Sequence, residues 1–202
     1  MKLYDSQTAP NPRRVRVFLA EKGIAVPIEQ VDITMAVNRG PEFRAKNPLG
    51  TVPVLELDDG TCISESVAIC RYFEETQPTP PLMGVDARDR AVVEMWQRRM
   101  ELELFIPVAQ VFRNSHPFFA GRIPQVAEWG EVSRKHAEAT MAWLDRELAG
   151  REFIAGPRYT IADVTALCGI DFGRVSKIRI APEHANLSRW HAAVSARPSA
   201  RA

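Results

Sequence analysis

Glu65 and Ser66 follow an apolar stretch and precede a run of apolar residues at helical spacing. The N-terminus of a helix carries unpaired N–H groups and a partial positive charge, and both attract a carboxylate. The Ser66 hydroxyl can add a donor there, while the Glu65 carboxylate can hold an ammonium group beside it. The pair therefore predicts a receptor for the head group of an amino acid. The structural alternative is that Ser64 caps the helix and Glu65 only interacts favourably with its dipole.

A second polar cluster, residues 6–11, precedes the first run of apolar residues at helical spacing. Ser6, Thr8 and Asn11 are candidate donors to a sulfur anion, directly or through water, because a thiol near a helix start can titrate well below about 8.5. Asn11 also fits a helix N-cap, with Pro12 at the first helical position. Ser6 and Thr8 are in addition common turn-forming residues, so the structural interpretation stays open.

Val52–Pro53 opens an apolar run that has strand character. A proline lacks the N–H that a strand donates to its neighbour, so it favours an edge or a special turn. If the peptide before Pro53 is cis, the Val52 backbone points outward and can pair with an extended peptide as an added strand does. An ordinary trans proline on an edge strand is the alternative, since only about 5–6% of X–Pro bonds in folded proteins are cis.

Arg113, Asn114 and His116 end a long helical pattern in the second half of the chain, where they are candidates for a pocket that takes a second substrate. His116, which precedes Pro117, has the chemistry of a general base at neutral pH. A solvated helix end is the other interpretation of these residues.

The elements that must position these residues alternate in type over the first part of the chain. Polar and apolar patterns predict strands at 2–4 and 27–33 and helices at 11–23, 41–46 and from 64–66 to about 76. Asp59–Gly60 between two apolar runs predicts a β-hairpin with a tight primed turn. Strand and helix in this order predict a small α/β domain over residues 1–76.

Three prolines make residues 77–87 a stiff linker, and the pattern beyond it is helical to residue 202. A long helix is expected from about 92 to 105 with a kink at Pro107, followed by helices at 126–148, from Thr160, and at 183–195. Thr160 and Asp163 have the spacing of a capping box, which makes Asp163 a structural residue and not a catalytic one. The second domain is thus predicted to be all-helical over residues 88–202.

Composition excludes several classes of protein. Of 202 residues, 46% are hydrophobic and 25% charged, which is ordinary for a globular chain. A net charge of +1 gives no basic surface for a nucleic acid, and no apolar run approaches the roughly 20 residues that cross a bilayer. The start of the chain lacks an apolar signal region, and Cys62, Cys70 and Cys168 lack pairing or zinc-ligand spacing. A cytoplasmic protein without nucleic-acid or membrane partners is expected.

Several segments together resemble the cytosolic glutathione S-transferase family. They are residues 47–55, the Asp59–Gly60 turn, residues 63–69, the opening 15–23 and the block 159–164. They cover nearly the whole chain and follow the order of the family. The resemblance implies a thioredoxin-like N-terminal domain followed by a C-terminal helical bundle.

The resemblance also implies roles for named residues. Pro53 would be the family's cis-proline, Val52 would pair with the cysteinyl backbone of glutathione, and Glu65 with Ser66 would hold its γ-glutamyl head. The implied activity is attack of the glutathione thiolate on a small electrophile, or glutathione-dependent reduction of peroxides or disulfides. Glutathione is a substrate in this scheme, and no cofactor, metal or prosthetic group is implied. The first long helix would line the electrophile site and the interface of a homodimer.

The chain departs from many classes of the family at the start of the first helix, where residues 9–12 offer no Tyr, Ser or Cys to bind the sulfur. Tyr4 lies within the first strand, too early to reach it. The pattern resembles the bacterial and fungal branches that carry Asn or Thr at this turn, so Asn11, Thr8 and Ser6 are the expected catalytic residues. The alternatives are a non-catalytic binding or scaffold protein on the same fold and a glutathione-dependent isomerase or dehalogenase.

Overall fold

The computed structural model describes residues 1–202, which divide into two compact units. The first unit comprises Met1–Leu82 together with Pro198–Ala202, and the second comprises Met83–Arg197. The division falls inside the segment 77–87. The last five residues, which were expected in the helical domain, cluster with the first unit instead.

The first unit is built on one mixed sheet. Its strands are β1 (Lys2–Asp5), β2 (Ile28–Gln30), β3 (Val54–Glu56) and β4 (Cys62–Ser64), in the spatial order β2-β1-β3-β4. β1 is parallel to β2 and antiparallel to β3, and β3 is antiparallel to β4. The ends of β1 and β4 and the beginning of β3 therefore lie at one end of the sheet.

Three helices complete this unit: α1 (Pro10–Lys22), α2 (Pro41–Lys46) and α3 (Ser66–Thr76). A short 3₁₀ helix, Val37–Arg39, precedes α2. Fully buried side chains of α1, α3 and the sheet form the core, among them Leu3, Val15, Phe18, Leu55 and Ile69. The small α/β domain predicted from the sequence is confirmed.

The start of α1 differs from the prediction. The helix begins at Pro10, its N-cap is Ala9 with φ −85° and ψ 136°, and Asn11 lies inside the first turn, so the N-cap role of Asn11 is wrong. Proline suits the first helical position, and the residue before a proline is pushed towards extended backbone, which makes Ala9 the boundary. The helix ends as predicted at Gly23, whose φ of 65° is the left-handed conformation that glycine favours.

The hairpin is confirmed, but its predicted tight primed turn is wrong. The Leu57 N–H donates to the Thr61 carbonyl at 2.8 Å, so β3 and β4 are joined by a three-residue loop. In that loop only Gly60 has a positive φ, 86°, whereas a primed turn with Asp59–Gly60 at its centre needs two such residues. The Asp59 carboxylate accepts the Thr61 N–H at 2.8 Å, which stabilises the longer loop and holds the pKa of Asp59 below its usual value.

The C-terminal tail closes the first unit. Pro198–Arg201 form a 3₁₀ helix that contacts α1. The Ser199 hydroxyl bonds the Glu21 carboxylate, and the Arg13 guanidinium donates to the Ala200 carbonyl at 3.0 Å. The tail is therefore fixed to α1 by polar contacts at both ends of that helix.

The second unit is helical throughout, as predicted. Its helices are α4 (Ala87–Arg99), a π-helix (Met100–Phe105), α5 (Ile106–Ser115), α6 (Ala127–Glu147), α7 (Ile161–Gly173) and α8 (Ala185–Ser195), with 3₁₀ turns at Pro117–Phe119 and Arg174–Ser176. The expected kink at Pro107 takes the form of the π-helix. The Ile106 N–H reaches back to the Glu101 carbonyl, because Pro107 has no N–H to continue the ordinary ladder.

Helix α7 is the buried centre of this unit, and its N-terminus carries the predicted capping box of Thr160 and Asp163. The Asp163 carboxylate accepts four hydrogen bonds: from Thr160 N–H at 2.9 Å, Thr160 Oγ1 at 3.1 Å, Ile154 N–H at 3.0 Å and Trp190 Nε1 at 2.9 Å. Burial raises the pKa of Asp163 to about 6, although these hydrogen bonds oppose the rise. No helix in the protein combines the length and apolar character needed to span a membrane.

Candidate active site

The sheet brings the three predicted polar features of the first unit to one place. Tyr4 stands opposite Val54, and Val54 opposite Ser64, so the next residues beyond this row are Asp5, Pro53 and Glu65. Neighbouring strands lie about 4.8 Å apart. The turn after β1, the Val52 backbone and the start of α3 are therefore side by side across about 10 Å, which matches the reach of an extended tripeptide.

The start of α3 has donors without acceptors. α3 begins at Ser66, which is buried, and its N-cap is the exposed Glu65 with φ 70° and ψ 120° and no capping hydrogen bond from its side chain. Ser64 is the last residue of β4, so the structural alternative in which Ser64 caps α3 is wrong. The first intrahelical bond runs from Ile69 N–H to Glu65 O at 3.0 Å, which leaves the N–H groups of residues 66–68 available to an anion.

The Val52–Pro53 peptide is cis. Pro53 is buried and Val52 half-buried, and β3 begins one residue after Pro53. Neither the N–H nor the carbonyl of Val52 makes a hydrogen bond within the chain. The Val52 backbone is thus available for pairing with an extended ligand.

The first turn of α1 offers one backbone donor. Pro10 and Pro12 have no N–H, and the Arg13 N–H donates to the Ala9 carbonyl at 3.3 Å, so the N–H of Asn11 is the remaining one. The Asn11 side chain is exposed and its Oδ1 accepts from Arg14 at 3.3 Å. Thr8 is exposed as well, whereas Ser6 is buried.

Tyr4 is held away from this turn. Its hydroxyl donates to the Glu56 carboxylate at 2.6 Å, and Lys46 donates to the same oxygen at 2.8 Å. The Lys46 ammonium, together with the Tyr4 hydroxyl, lowers the pKa of Glu56. In the β1–β3 register Glu56 stands opposite Lys2, at the end of β3 that is farther from Val52. The Tyr4 hydroxyl is therefore engaged away from the turn between β1 and α1.

In the second unit, Asn114 has a structural role. Its Oδ1 accepts the Val126 N–H at 2.9 Å, next to the first residue of α6, and its Nδ2 donates to the Gln110 carbonyl at 2.9 Å. Its carboxamide therefore connects α5 to the start of α6 through these two hydrogen bonds. Sequence reasoning placed Asn114 among the pocket candidates, and this contact could not be seen from the sequence.

His116 caps the short helix that follows α5. Its Nδ1 accepts the Phe118 N–H at 3.1 Å, so in the neutral ring the hydrogen sits on Nε2. Nε2 then carries a hydrogen that it can donate to a ligand, and Nδ1 is already engaged, which argues against His116 as a general base. Its ring packs against Phe112 with centroids 4.6 Å apart, and the Arg113 guanidinium lies 5.2 Å from the Phe119 centroid.

The aromatic cluster around His116 was missed at the level of sequence. Four phenylalanines form it, with Phe112 in contact with each of the others: Phe112, Phe118, Phe119 and Phe172. The Pro-Phe-Phe sequence after a helix end was the available signal for two of them. All four side chains are partly exposed, so they can contact an apolar ligand.

No cluster of three or more His, Cys, Asp or Glu side chains that could hold a metal ion is present. Cys70 and Cys168 are buried and Cys62 is half-buried, and all three are free thiols.

Two family models match the chain. Residues 8–76 match the N-terminal domain of glutathione S-transferase, and residues 104–198 match its C-terminal domain. A glutathione S-transferase 2 from Saccharomyces cerevisiae is 37% identical over 98% of this chain and 87% of its own length.

Solved structures agree with these matches. A glutathione S-transferase domain-containing protein from Marinobacter aquaeolei superposes with a TM-score of 0.93 at 42% identity, covering 98% of this chain and 99% of that one. Gtt2 from Saccharomyces cerevisiae superposes with a TM-score of 0.95 at 36% identity, covering 100% of this chain and 99% of its own.

Proposed function

The chain belongs to the glutathione S-transferase family and is a glutathione transferase, and we propose that it conjugates glutathione to a small electrophile while holding the tripeptide along the end of the sheet. The observation that carries this proposal is the side-by-side arrangement of the α1 start, the Val52 backbone and the α3 start. Each has backbone donors or acceptors with no partner in the chain. No side-chain cap competes for the α3 donors.

Glutathione fits this row in one direction. Its γ-glutamyl carboxylate binds the N–H groups of residues 66–68 and the Ser66 hydroxyl, where the helix dipole favours an anion. The Glu65 carboxylate takes the adjacent ammonium group. The cysteinyl backbone pairs with Val52, and its thiol then points towards the turn between β1 and α1.

Activation of the thiol is shared among weak donors. An unperturbed thiol titrates near 8.5, so it is mostly protonated at neutral pH. The Asn11 N–H at the positive end of α1 and the hydroxyls of Thr8 and Ser6 are the groups we assign to the sulfur. A depression of one pKa unit needs only about 1.4 kcal/mol and raises the thiolate fraction several-fold.

In the chemical step the thiolate sulfur attacks an electrophilic carbon, a C–S bond forms, and the leaving group departs with its electron pair. The protein contributes thiolate stabilisation and proximity. The second unit supplies the electrophile pocket, for which Arg113, His116 and the aromatic cluster are our candidates. His116 serves there as a hydrogen-bond donor through Nε2.

The test combines binding with thiol titration. Calorimetry should show glutathione binding, and ultraviolet absorbance of the bound thiolate should give a thiol pKa below that of free glutathione. A nitro-activated aryl chloride should be converted to its thioether with release of chloride. Binding without a lowered thiol pKa and without turnover would favour the non-catalytic alternative. Peroxide consumption without thioether formation would replace conjugation by reduction.

We further propose that the enzyme is a cytoplasmic homodimer. Free thiols suit a reducing compartment. Large apolar side chains are exposed near the Glu103–His136 contact. Leu102 is adjacent to Glu103 and Ile106 lies one turn after it, while Val132 and Trp129 lie one and two turns before His136. A hydrogen-bonding pair within an apolar face fits a two-fold interface with a second copy of the chain, because such an interface must complement itself.

A further inference from the structure

The turn between β1 and α1 is held at Gln7 by side chains from two other elements. The Gln7 N–H donates to the Gln30 side-chain carbonyl at 3.0 Å, and the Gln7 carbonyl accepts from Arg16 Nη2 at 3.1 Å. These two groups belong to successive peptide planes, one on each side of Gln7. Since each plane is rigid, holding both fixes the two backbone dihedrals of Gln7.

Both holding side chains are anchored on one buried carboxylate. Arg16 Nη1 donates to both oxygens of Asp5 at 2.6 and 2.8 Å, and Gln30 Nε2 lies 3.4 Å from Asp5 Oδ2. The Asp5 side chain is 1% exposed and that of Arg16 is 12% exposed, so water competes little for the bonds between them. Asp5, Gln7, Arg16 and Gln30 form a closed network, here named the Gln7 clamp, that joins β1, α1 and β2.

We propose that the Gln7 clamp positions the thiol-activating groups, with Arg16 and Gln30 as positioning residues for the transfer reaction. This inference rests on the proposed function, which places the sulfur at this turn. Ser6 and Thr8 flank Gln7 directly, so the two clamped planes fix the positions of their Cα atoms relative to each other. The Ala9 N–H donates to the Ser6 carbonyl at 2.9 Å, which extends the fixed geometry to the residue before α1.

The clamp contacts only the sulfur end of the proposed glutathione row. The groups assigned to the γ-glutamyl head lie at the start of α3, beyond β3 from the clamp. Loosening the clamp should therefore raise the pKa of the bound thiol and slow turnover while affinity for glutathione is preserved. Replacing a residue that has only a structural role would not raise the thiol pKa and slow turnover while leaving glutathione affinity unchanged.

The first test compares Gln30→Ala with Glu29→Ala. Both residues are exposed on β2, but Glu29 pairs with Lys2 at 2.7 Å and has no contact with Gln7. Gln30→Ala is expected to lower kcat by about ten-fold and to raise the thiol pKa measured by ultraviolet titration by about one unit. Its dissociation constant for glutathione should stay within about two-fold of wild type, and Glu29→Ala should leave all three values unchanged.

Arg16 is tested by Arg16→Lys, because Arg16→Ala would leave the buried Asp5 carboxylate without a cation and can prevent folding. A single ammonium can neutralise Asp5 but cannot also match the forked contact to the Gln7 carbonyl. We expect the same loss of kcat and rise of thiol pKa as in Gln30→Ala, with glutathione affinity again preserved.

Amide hydrogen exchange of ligand-free protein, taken with the kinetics, shows whether the clamp is absent, the clamp has no effect on the thiol, or the proposed function is wrong. The Gln7 amide should be protected in wild type and lose that protection in Gln30→Ala. If it is unprotected in wild type, the clamp does not exist in solution. If protection is lost but kcat and thiol pKa are unchanged, the clamp has no part in thiol activation. If wild type neither binds glutathione nor lowers its thiol pKa, the proposed function fails and this inference fails with it.

Discussion

Ser66 and Glu65 belong to the N-terminus of α3, where backbone donors have no partner in the chain. Ser66→Ala removes a donor to the bound carboxylate, and Glu65→Gln removes the charge that faces the ammonium group. Each should weaken glutathione binding by about 1–3 kcal/mol in calorimetry, the range for hydrogen bonds that involve charged groups. Thr76→Ala is the matched control, since that hydroxyl bonds the Tyr72 carbonyl at the other end of the same helix. Wild-type affinity in both folded variants would remove the head-group site from α3.

Asn11 allows the backbone donor to be separated from the side chain. Its N–H has no acceptor in the chain, so Asn11→Pro deletes that donor without breaking an intrahelical bond, as Pro10 and Pro12 already do. If the N–H stabilises the thiolate, Asn11→Pro should lower kcat by about ten-fold and raise the thiol pKa, and Asn11→Ala should do less. Thr8→Ala combined with Asn11→Pro should lower kcat further.

Tyr4→Phe is the comparison for that series. The Tyr4 hydroxyl donates to Glu56 and not towards the turn, so its removal should leave kcat and the thiol pKa near wild type. Near-complete loss of activity in Tyr4→Phe, with normal Asn11→Pro and Thr8→Ala variants, would instead establish a tyrosine mechanism.

Helix α7 depends on Asp163 for more than its cap. Asp163→Ala removes the capping box and also leaves the Ile154 N–H and the Trp190 Nε1–H without acceptors in the core. Capping losses cost about 0.5–2 kcal/mol and each of the two orphaned buried donors about 1–3 kcal/mol, so a loss of about 2.5–8 kcal/mol is expected in denaturant unfolding. The kcat of the folded fraction of Asp163→Ala should stay near that of wild type. Full stability with abolished turnover would show that Asp163 is a catalytic acid.

The raised pKa of Asp163 also predicts a pH dependence of stability. The folded state binds the proton up to about pH 6, whereas the unfolded chain releases it near its ordinary value of 3.8. Folded protein thus binds more protons in that window, and the contribution of Asp163 to the free energy of unfolding falls as pH rises from about 4 to 6, by about 3 kcal/mol. Urea unfolding across this range should show the decline, and Asp163→Asn should abolish it. An equal slope in both proteins would assign the dependence to other groups.

Some elements followed from the sequence because their signals are local. The short helix Pro41–Lys46 and the capping box at Thr160 depend on residues a few positions apart, and both are present as predicted. The start of α1 was misplaced because Pro10 and Pro12 are equally good first-turn residues by pattern alone. The π-helix before Pro107 was read as a kink because proline removes one bond without specifying how the preceding carbonyls are used.

The candidate site was predictable where it rests on short segments and not where it rests on tertiary contacts. Pro53, Glu65 and Ser66 stand in recognisable sequence contexts, and the sheet places them together. The contacts of Gln30 and Arg16 with Gln7 join β2 and α1 to the turn after β1. The spacing of these residues in the sequence does not predict such contacts. The structural contact of Asn114 was missed for the same reason, since its partner Val126 lies in the loop before the next helix.

The proposed assembly makes a prediction for the exposed apolar face of the second unit. Val132 is 55% exposed and lies one turn from His136 on α6, so in a two-fold dimer each copy contributes it to the interface. Val132→Glu places a charge there twice and should convert the dimer to monomer at micromolar concentration in analytical ultracentrifugation. Glu138→Ala, an exposed change on another side of α6, should leave the dimer intact. An unchanged dimer in Val132→Glu would move the interface elsewhere, and a monomeric wild type would remove it.

The docking of Pro198–Arg201 on α1 makes the first unit discontinuous in sequence, with the entire second unit inserted between its two pieces. While the second unit is folded, it holds residues 83 and 197 at a fixed separation, and the tail samples only a small volume around α1. When the second unit unfolds, the same stretch becomes a long flexible loop whose closure carries an entropic cost. Unfolding of the second unit therefore destabilises the docking of Pro198–Arg201 on α1, although the contacts between the tail and α1 are unchanged.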